Sequence, residues 1–167
     1  MQIRTEKFKD AAAIRIVHQA AFGQAAEANL VEALREDEES FPHYSRVAVT
    51  DRGEIVGHVL LSRIYIEDIP SLALAPVGVK PVWQRKGIGS ELIRQVIEEA
   101  REAGESHIVV LGHDSYYPQF GFERAVDYGI EAPFPVPADF FLIMPLERQA
   151  LKGIQGIVRY SKPFSTV

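Results

Sequence analysis

One stretch restricts the possible folds of this chain more than any other. Ile88, Leu92, Ile93, Val96, Ile97 and Ala100 recur at i, i+4, i+5, i+8, i+9 and i+12 and draw one apolar stripe along a helix. Glu91, Arg94, Gln95, Glu98, Glu99 and Arg101 fill the other face, Gly87 opens the helix and Gly104 stops it. An apolar strand, residues 72–79, precedes it. A continuous apolar run, His107-Ile108-Val109-Val110-Leu111, follows and reads as a strand covered on both faces. Strand, helix and strand within about 40 residues make a βαβ unit, so the two strands should run parallel.

The segments around this unit have other periods. Residues 2–5 suit a short first strand. Asp10 is a candidate N-cap for a helix carrying Ile14, Val17, Ala21 and Phe22, which Gly23 ends. Ala26, Leu30, Val31, Ala33 and Leu34 suggest a second helix, closed by a solvated acidic run, Glu36-Asp37-Glu38-Glu39, and by Pro42. Strands at 46–50 and 54–66 flank Asp51-Arg52-Gly53, the chemistry of a hairpin turn. A further turn is expected at 68–71, a stiff surface loop at 132–137, a last core strand at 140–146 and one more strand at 156–160. The pattern is α+β: a mixed sheet, antiparallel early and parallel at the βαβ unit. Residues 1–167 read as one domain, with a core at 1–146 and a C-terminal extension at 147–167.

Composition removes whole classes of function. Hydrophobic residues make up 47% and charged residues 25% of the 167, a globular balance rather than a disordered one. The chain has no cysteine, so disulfides, thiolate metal sites and a cysteine nucleophile are excluded. The five histidines, His18, His43, His58, His107 and His113, show no metal-ligand spacing; they read as structural or surface residues, and no metal is expected. There is no G-x-S-x-G elbow. A net charge of −5 argues against nucleic acid or an anionic membrane as partner. The first residues, Met1-Gln2-Ile3-Arg4-Thr5-Glu6-Lys7, do not resemble a secretory leader. No apolar run approaches the ~20 residues of a membrane helix, so a cytoplasmic protein is expected.

Any anion must therefore be held by a local device, and residues 77–90 supply one. Gln84-Arg85-Lys86-Gly87-Ile88-Gly89 leads from the strand into the helix, whose first N–H groups have no partner within the helix and whose dipole is positive there. Gly87 and Gly89 keep side chains out of the way, and Arg85 and Lys86 add charge. Charge-assisted hydrogen bonds of ~1.5–3 kcal/mol each would hold a pyrophosphate. The same glycines could simply turn the chain. The basic pair and the Pro76/Gly78 interruption of the strand, which suggests a bulge or a close ligand approach, favour the anion. Neither the triphosphate P-loop nor the G-x-G-x-x-G dinucleotide fingerprint is present.

The segment Gln84-Arg85-Lys86-Gly87-Ile88-Gly89, in this position between strand and helix, resembles the acetyl-CoA loop of the GNAT N-acetyltransferase superfamily. It matches the pattern Gln/Arg-x-x-Gly-x-Gly/Ala throughout. Tyr117-Pro118-Gln119-Phe120-Gly121-Phe122 resembles that family's Tyr-x-x-x-Gly-Phe segment after the fifth strand. The order of elements agrees over residues 1–146, and the closest likeness is to the small bacterial predicted acetyltransferases. The resemblance implies a GNAT-like acyl-CoA N-acyltransferase fold, a mixed central sheet with helices on both faces and a splayed parallel strand pair. It implies acetyl-CoA as cosubstrate and a primary amine, on a small molecule or a protein, as acceptor, with a homodimer as a common assembly. A non-catalytic acyl-CoA sensor or partner module on the same fold is the alternative.

Residue by residue, the resemblance implies that the bulge at Pro76-Val77-Gly78 opens the sheet. The pantetheine arm would pair with Val77 and Val79, and a backbone N–H near Val79 would polarise the acetyl carbonyl. Gln84, Arg85, Lys86, Gly87, Ile88, Gly89 and Ser90 would hold the pyrophosphate. Tyr117 matches the family's general acid, a phenol that stays protonated at pH 7 and can donate to the departing thiolate. Tyr116, its neighbour, would point elsewhere on a helical turn. An amine of pKa ~10.4 needs about 4.6 kcal/mol to shed its proton at pH 7. Glu27, Glu67, His113 and Asp114 are the candidate bases. Many family members carry an Asn after the fifth strand; Gly112-His113-Asp114 departs from that here.

Overall fold

The βαβ unit forms where the periodicity predicts it. In the computed structural model, which describes residues 1–166, strand β4 (Ile69–Val79) leads through a 3-10 turn (Pro81–Trp83) to helix α3 (Ile88–Glu102) and strand β5 (His107–Leu111). Before it come β1 (Gln2–Thr5), α1 (Ala11–Phe22), α2 (Ala26–Glu36), β2 (Tyr44–Val49) and β3 (Ile55–Ile66). After it come β6 (Glu123–Arg124), β7 (Ile130–Glu131), β8 (Phe141–Pro145) and β9 (Gly156–Arg159). The sheet runs β1-β2-β3-β4-β5-β8-β6, with β9 joining the end of β3 and β7 pairing with β9. Its neighbours on this path are antiparallel except β4 and β5, which are parallel. This is the mixed α+β sheet the pattern implied.

Strand alternation decides which helix lies on which face. Val59 and Leu61 pack with Leu92, Ile93 and Val96 of α3. Leu60, between them, packs with Ile14 and Val17 of α1 and Leu30 and Leu34 of α2. Helices therefore cover both faces. The α1/α2 face continues into a second cluster built on Ile64, Ile66, Ala73, Val109 and Ile143.

Three local expectations change. Asp10 does stand at the start of α1, but its side chain does not cap the helix. Its carboxylate takes two bonds from Arg4, at 2.8 and 3.1 Å, and one from the Lys7 N–H at 2.7 Å. The turn expected at 68–71 is tighter. Ile66 pairs directly with Ile69 around Glu67-Asp68, so Pro70 lies inside β4. Proline is tolerated there because β5 meets β4 only from Leu72, and no neighbour requires the missing N–H. Residues after 146 are tied into the sheet: Val158 pairs with Ile66, Arg159 with Tyr65, and Leu151 and Val158 enter the core. Strands β6 and β7, two residues each, carry too little pattern to be read from sequence.

Candidate active site

Strand β4 forms one wall of the site. Val77 pairs with Val59 of β3, but Leu74 pairs with Leu61, so β4 advances three residues while β3 advances two. The extra residue makes a bulge at Ala75-Pro76. Beyond it the polar groups of β4 alternate. The Lys80 N–H reaches back to the Val56 carbonyl of β3 at 2.8 Å, so the two-residue period turns Gly78 toward β3 and Val77 and Val79 away from it. The Val79 carbonyl, facing away, accepts a 2.9 Å bond from Gln84 Nε2. On that open side β5 pairs with β4 only at Leu72/Ile108 and Ala73/Val109. From there the strands part and leave the main-chain edge of Val77 and Val79 unpaired by β5.

The parting strands lead to a cleft of about 330 Å³ lined by Val77, Gly78, Val79, Gln84, Arg85, Gly87, Ile88, Gly89 and Ser90, together with Phe22, Trp83 and Tyr116. Nine of the ten expected cofactor residues thus meet in one place. Lys86, the tenth, is exposed beside it, with Nζ 5.6 Å from the centre of the Trp83 ring. The start of α3 is built to stay open. Gly87 is its N-cap at φ 83°, a left-handed conformation that favours glycine, and no side chain caps the helix. A Cβ on Gly87 would meet nothing within 4 Å. The first bond of the helix is from the Glu91 N–H to the Gly87 carbonyl at 3.1 Å. The amides of Ile88, Gly89 and Ser90 therefore have no acceptor one turn back.

The far wall holds both tyrosines. Tyr116, expected to point elsewhere, lines the cleft, with its hydroxyl 2.8 Å from Ser90 Oγ. It precedes the 3-10 turn Tyr117–Phe120 at φ −117°, so helical spacing does not set its direction. Tyr117 is not among the cleft-lining residues. Its ring lies over Gly112 at the end of β5, edge-on to Phe122 at 5.6 Å and to Tyr116 at 5.0 Å. Burial, with a smaller contribution from Tyr116, raises its phenol to about 12. Its hydroxyl has no hydrogen-bond partner among the described residues.

None of the four candidate bases lines the cleft. Glu27 accepts from Gln24 Nε2 at 3.0 and 3.1 Å. Glu67 turns the chain at the opposite end of β4, at φ 52°. His113 and Asp114 are exposed after β5, His113 edge-on to Phe140 at 5.2 Å. The histidine that does touch the site is His18 of α1. It is fully buried, and a Cβ on Gly78 would stand 2.7 Å from its Nδ1. The sequence signal was a polar residue on the apolar stripe of α1, one turn after Ile14. Among the described residues no cluster of three metal-ligating side chains occurs, and no helix is long and apolar enough to cross a membrane.

Known proteins share this arrangement. Residues 12–122 match the acetyltransferase (GNAT) family. The N-acetyltransferase YjhQ of Escherichia coli K12 is 39% identical over 165 residues, which cover 94% of this chain and 90% of that protein. YhbS of the same strain is 32% identical over 167 residues, 99% of each. The structure of E. coli YhbS in complex with CoA superposes with a TM-score of 0.92 at 30% identity, over 98% of this chain and 91% of that one. A GNAT acetyltransferase from Brucella melitensis in complex with acetyl-CoA gives 0.80 at 32% identity, over 98% and 97%. The splayed parallel strands, the uncapped helix start and these relatives agree: the chain belongs to the GNAT acetyltransferase family.

Proposed function

We propose that this protein is an acetyl-CoA-dependent N-acetyltransferase that acylates a primary amine in a ternary complex. The observation that carries the reading is the unpaired edge of β4 running from the bulge straight to the uncapped start of α3. An elongated ligand with amides at one end and a pyrophosphate at the other fits that path. Val77 and Val79 offer main-chain groups to the amides, as an added strand would. The amides of Ile88, Gly89 and Ser90 and the Arg85 guanidinium receive the phosphates. Gln84 holds the Val79 carbonyl and so keeps the loop against the strand. Bound acetyl-CoA supplies a thioester whose carbonyl the amine attacks. An N–H of the β4 edge near Val79 stabilises the charge that gathers on the acetyl oxygen. Tyr117, with its phenol raised and its hydroxyl unpartnered, gives its proton to the departing sulfur.

The acceptor has its own cavity at the fork of β4 and β5 on the α1/α2 side. About 380 Å³ is lined by Leu30, Ala75, Leu111, Phe134, Tyr160 and Phe164 among others, with no charged side chain in the lining. Such a wall suits an amine on a hydrocarbon or aromatic body. With acetyl-CoA fixed, an arylalkylamine is expected to exceed a polyamine of similar length in kcat/KM by about tenfold or more, measured as thiol release. Arg85→Glu is expected to weaken acetyl-CoA binding by about tenfold, read by calorimetry. Thiol release across an amine panel tests the function itself. Tight acetyl-CoA binding with no turnover of any amine would favour the sensor reading, and no binding would remove both.

A further inference from the structure

A chain of buried polar groups, not used in the reaction above, runs from an ion pair at the edge of the sheet to the back of Gly78. Glu6, after β1, pairs with Arg35 of α2 at 2.9 Å and accepts a short hydrogen bond from Ser45 Oγ of β2. His58 of β3 is fully buried; its Nε2 lies 2.8 Å from Ser45 Oγ and 3.3 Å from Glu6 Oε1. His58 Nδ1 lies 2.7 Å from His18 Nε2. His18 Nδ1 ends the chain. It is buried, has no hydrogen-bond partner among the described residues, and abuts the face of Gly78.

The ends of the chain assign the protons. Burial works against the Glu6 charge, but bonds from His58, Arg35 and Ser45 outweigh it and hold the carboxyl at about 2, so Glu6 only accepts. Ser45 therefore gives its hydrogen to Glu6, and His58 must carry hydrogen on Nε2 to bond the Ser45 oxygen. Neutral His58 then has a bare Nδ1, which accepts from His18 Nε2–H. The lone pair of neutral His18 is left on Nδ1, at the strand position between Val77 and Val79. Burial, then His58 and Arg35, pulls the His18 imidazole down to about 3, so it is unprotonated at working pH. A leucine would fill this space without leaving a buried nitrogen unpaired. Packing alone does not account for a histidine here.

We propose that His18 Nδ1 is the general base of the transfer, taking the proton of the acceptor amine directly or through one water, with His58 and Glu6 as positioning residues. The proposal rests on the acetyl-transfer reading above. The amine lone pair forms the N–C bond and the C–S bond breaks with its electrons on sulfur. The amine proton goes to His18, and sulfur takes the Tyr117 proton. Exchange with solvent at product release restores both groups, and no redox partner is needed. The imidazolium formed on His18 faces the Glu6 carboxylate through His58, with the Arg35 guanidinium opposing it from α2.

The test is steady-state kinetics of wild type, His18→Gln and Glu6→Gln, with acetyl-CoA affinity by calorimetry and folding by thermal melts. Gln at 18 keeps a donor toward His58 but supplies no basic atom. The expected result is a kcat lower by about 100-fold in His18→Gln and about tenfold in Glu6→Gln, with KM and acetyl-CoA Kd within about twofold. A purely structural role would move the melting temperature or Kd and spare kcat. If wild type turns over an amine and folded His18→Gln keeps kcat within twofold, the base assignment is overturned while the acetyl-transfer reading stands. If His18→Gln does not fold, an unchanged kcat in Glu6→Gln overturns it equally. If wild type binds acetyl-CoA but acetylates no amine, both readings fall.

Discussion

Tyr117→Phe is expected to lower kcat by about 100-fold or more while acetyl-CoA affinity stays within about twofold. Removing one oxygen leaves the ring in place against Gly112 and Phe122, so the cavity and the coenzyme path are unchanged. What disappears is the proton donor for the departing sulfur, and general acid catalysis of this kind contributes roughly 10²–10⁴-fold. The sign of the pH dependence follows from the raised phenol. A group lifted from the usual 10 to about 12 stays protonated until pH climbs toward 12. Wild-type kcat should therefore show no loss of the acid between pH 7 and 10. An alkaline fall near pH 10 in wild type, absent from Tyr117→Phe, would show that burial does not protect the phenol. An unchanged kcat in the variant would transfer the role to another group, with Tyr116 in the cleft the first to examine.

Gly112→Ala should cost nearly as much, through the same ring. A Cβ at 112 would stand 2.1 Å from Tyr117 Cε2 and 2.5 Å from Cδ2, distances no packed pair of carbons adopts. Tyr117 must leave its seat between the end of β5 and Phe122, and its hydroxyl leaves with it. A kcat reduced by about 100-fold with a folded protein and near-normal acetyl-CoA binding is expected. The double variant with Tyr117→Phe should be little worse than either single change, because both remove one positioned proton. Additive losses would mean that Gly112 acts on something other than Tyr117. This glycine also gives a physical reason for the departure noted in the sequence: the position after β5 is occupied by ring packing.

Much of the architecture was legible because it is written in short-range pattern. The stripe from Ile88 to Ala100 needs nothing beyond helical spacing and a neighbouring sheet to cover. The bulge was legible because Pro76 and Gly78 both violate strand chemistry within three residues. The loop was legible because a positive φ at Gly87 and an open helix start demand the residues that stand there. The errors have a common character. Asp10 was assigned to the helix it begins, but Arg4 claims its carboxylate. Tyr116 was turned away by helical logic in a segment that has not yet become helical.

The chain by itself determined the order of its elements, the parallel strand pair around α3 and the anion-receiving loop, because each depends on residues a few positions apart. Tertiary structure alone decided which groups face the reacting centre. His18 meets His58 across 40 residues, His58 meets Ser45 across 13, and Ser45 meets Glu6 across 39. No local period links such positions. They are joined only when α1 is laid across the sheet and the alternation of β2 and β3 turns these side chains to one face, so hydrogen bonding in the buried layer, not spacing along the chain, selects them.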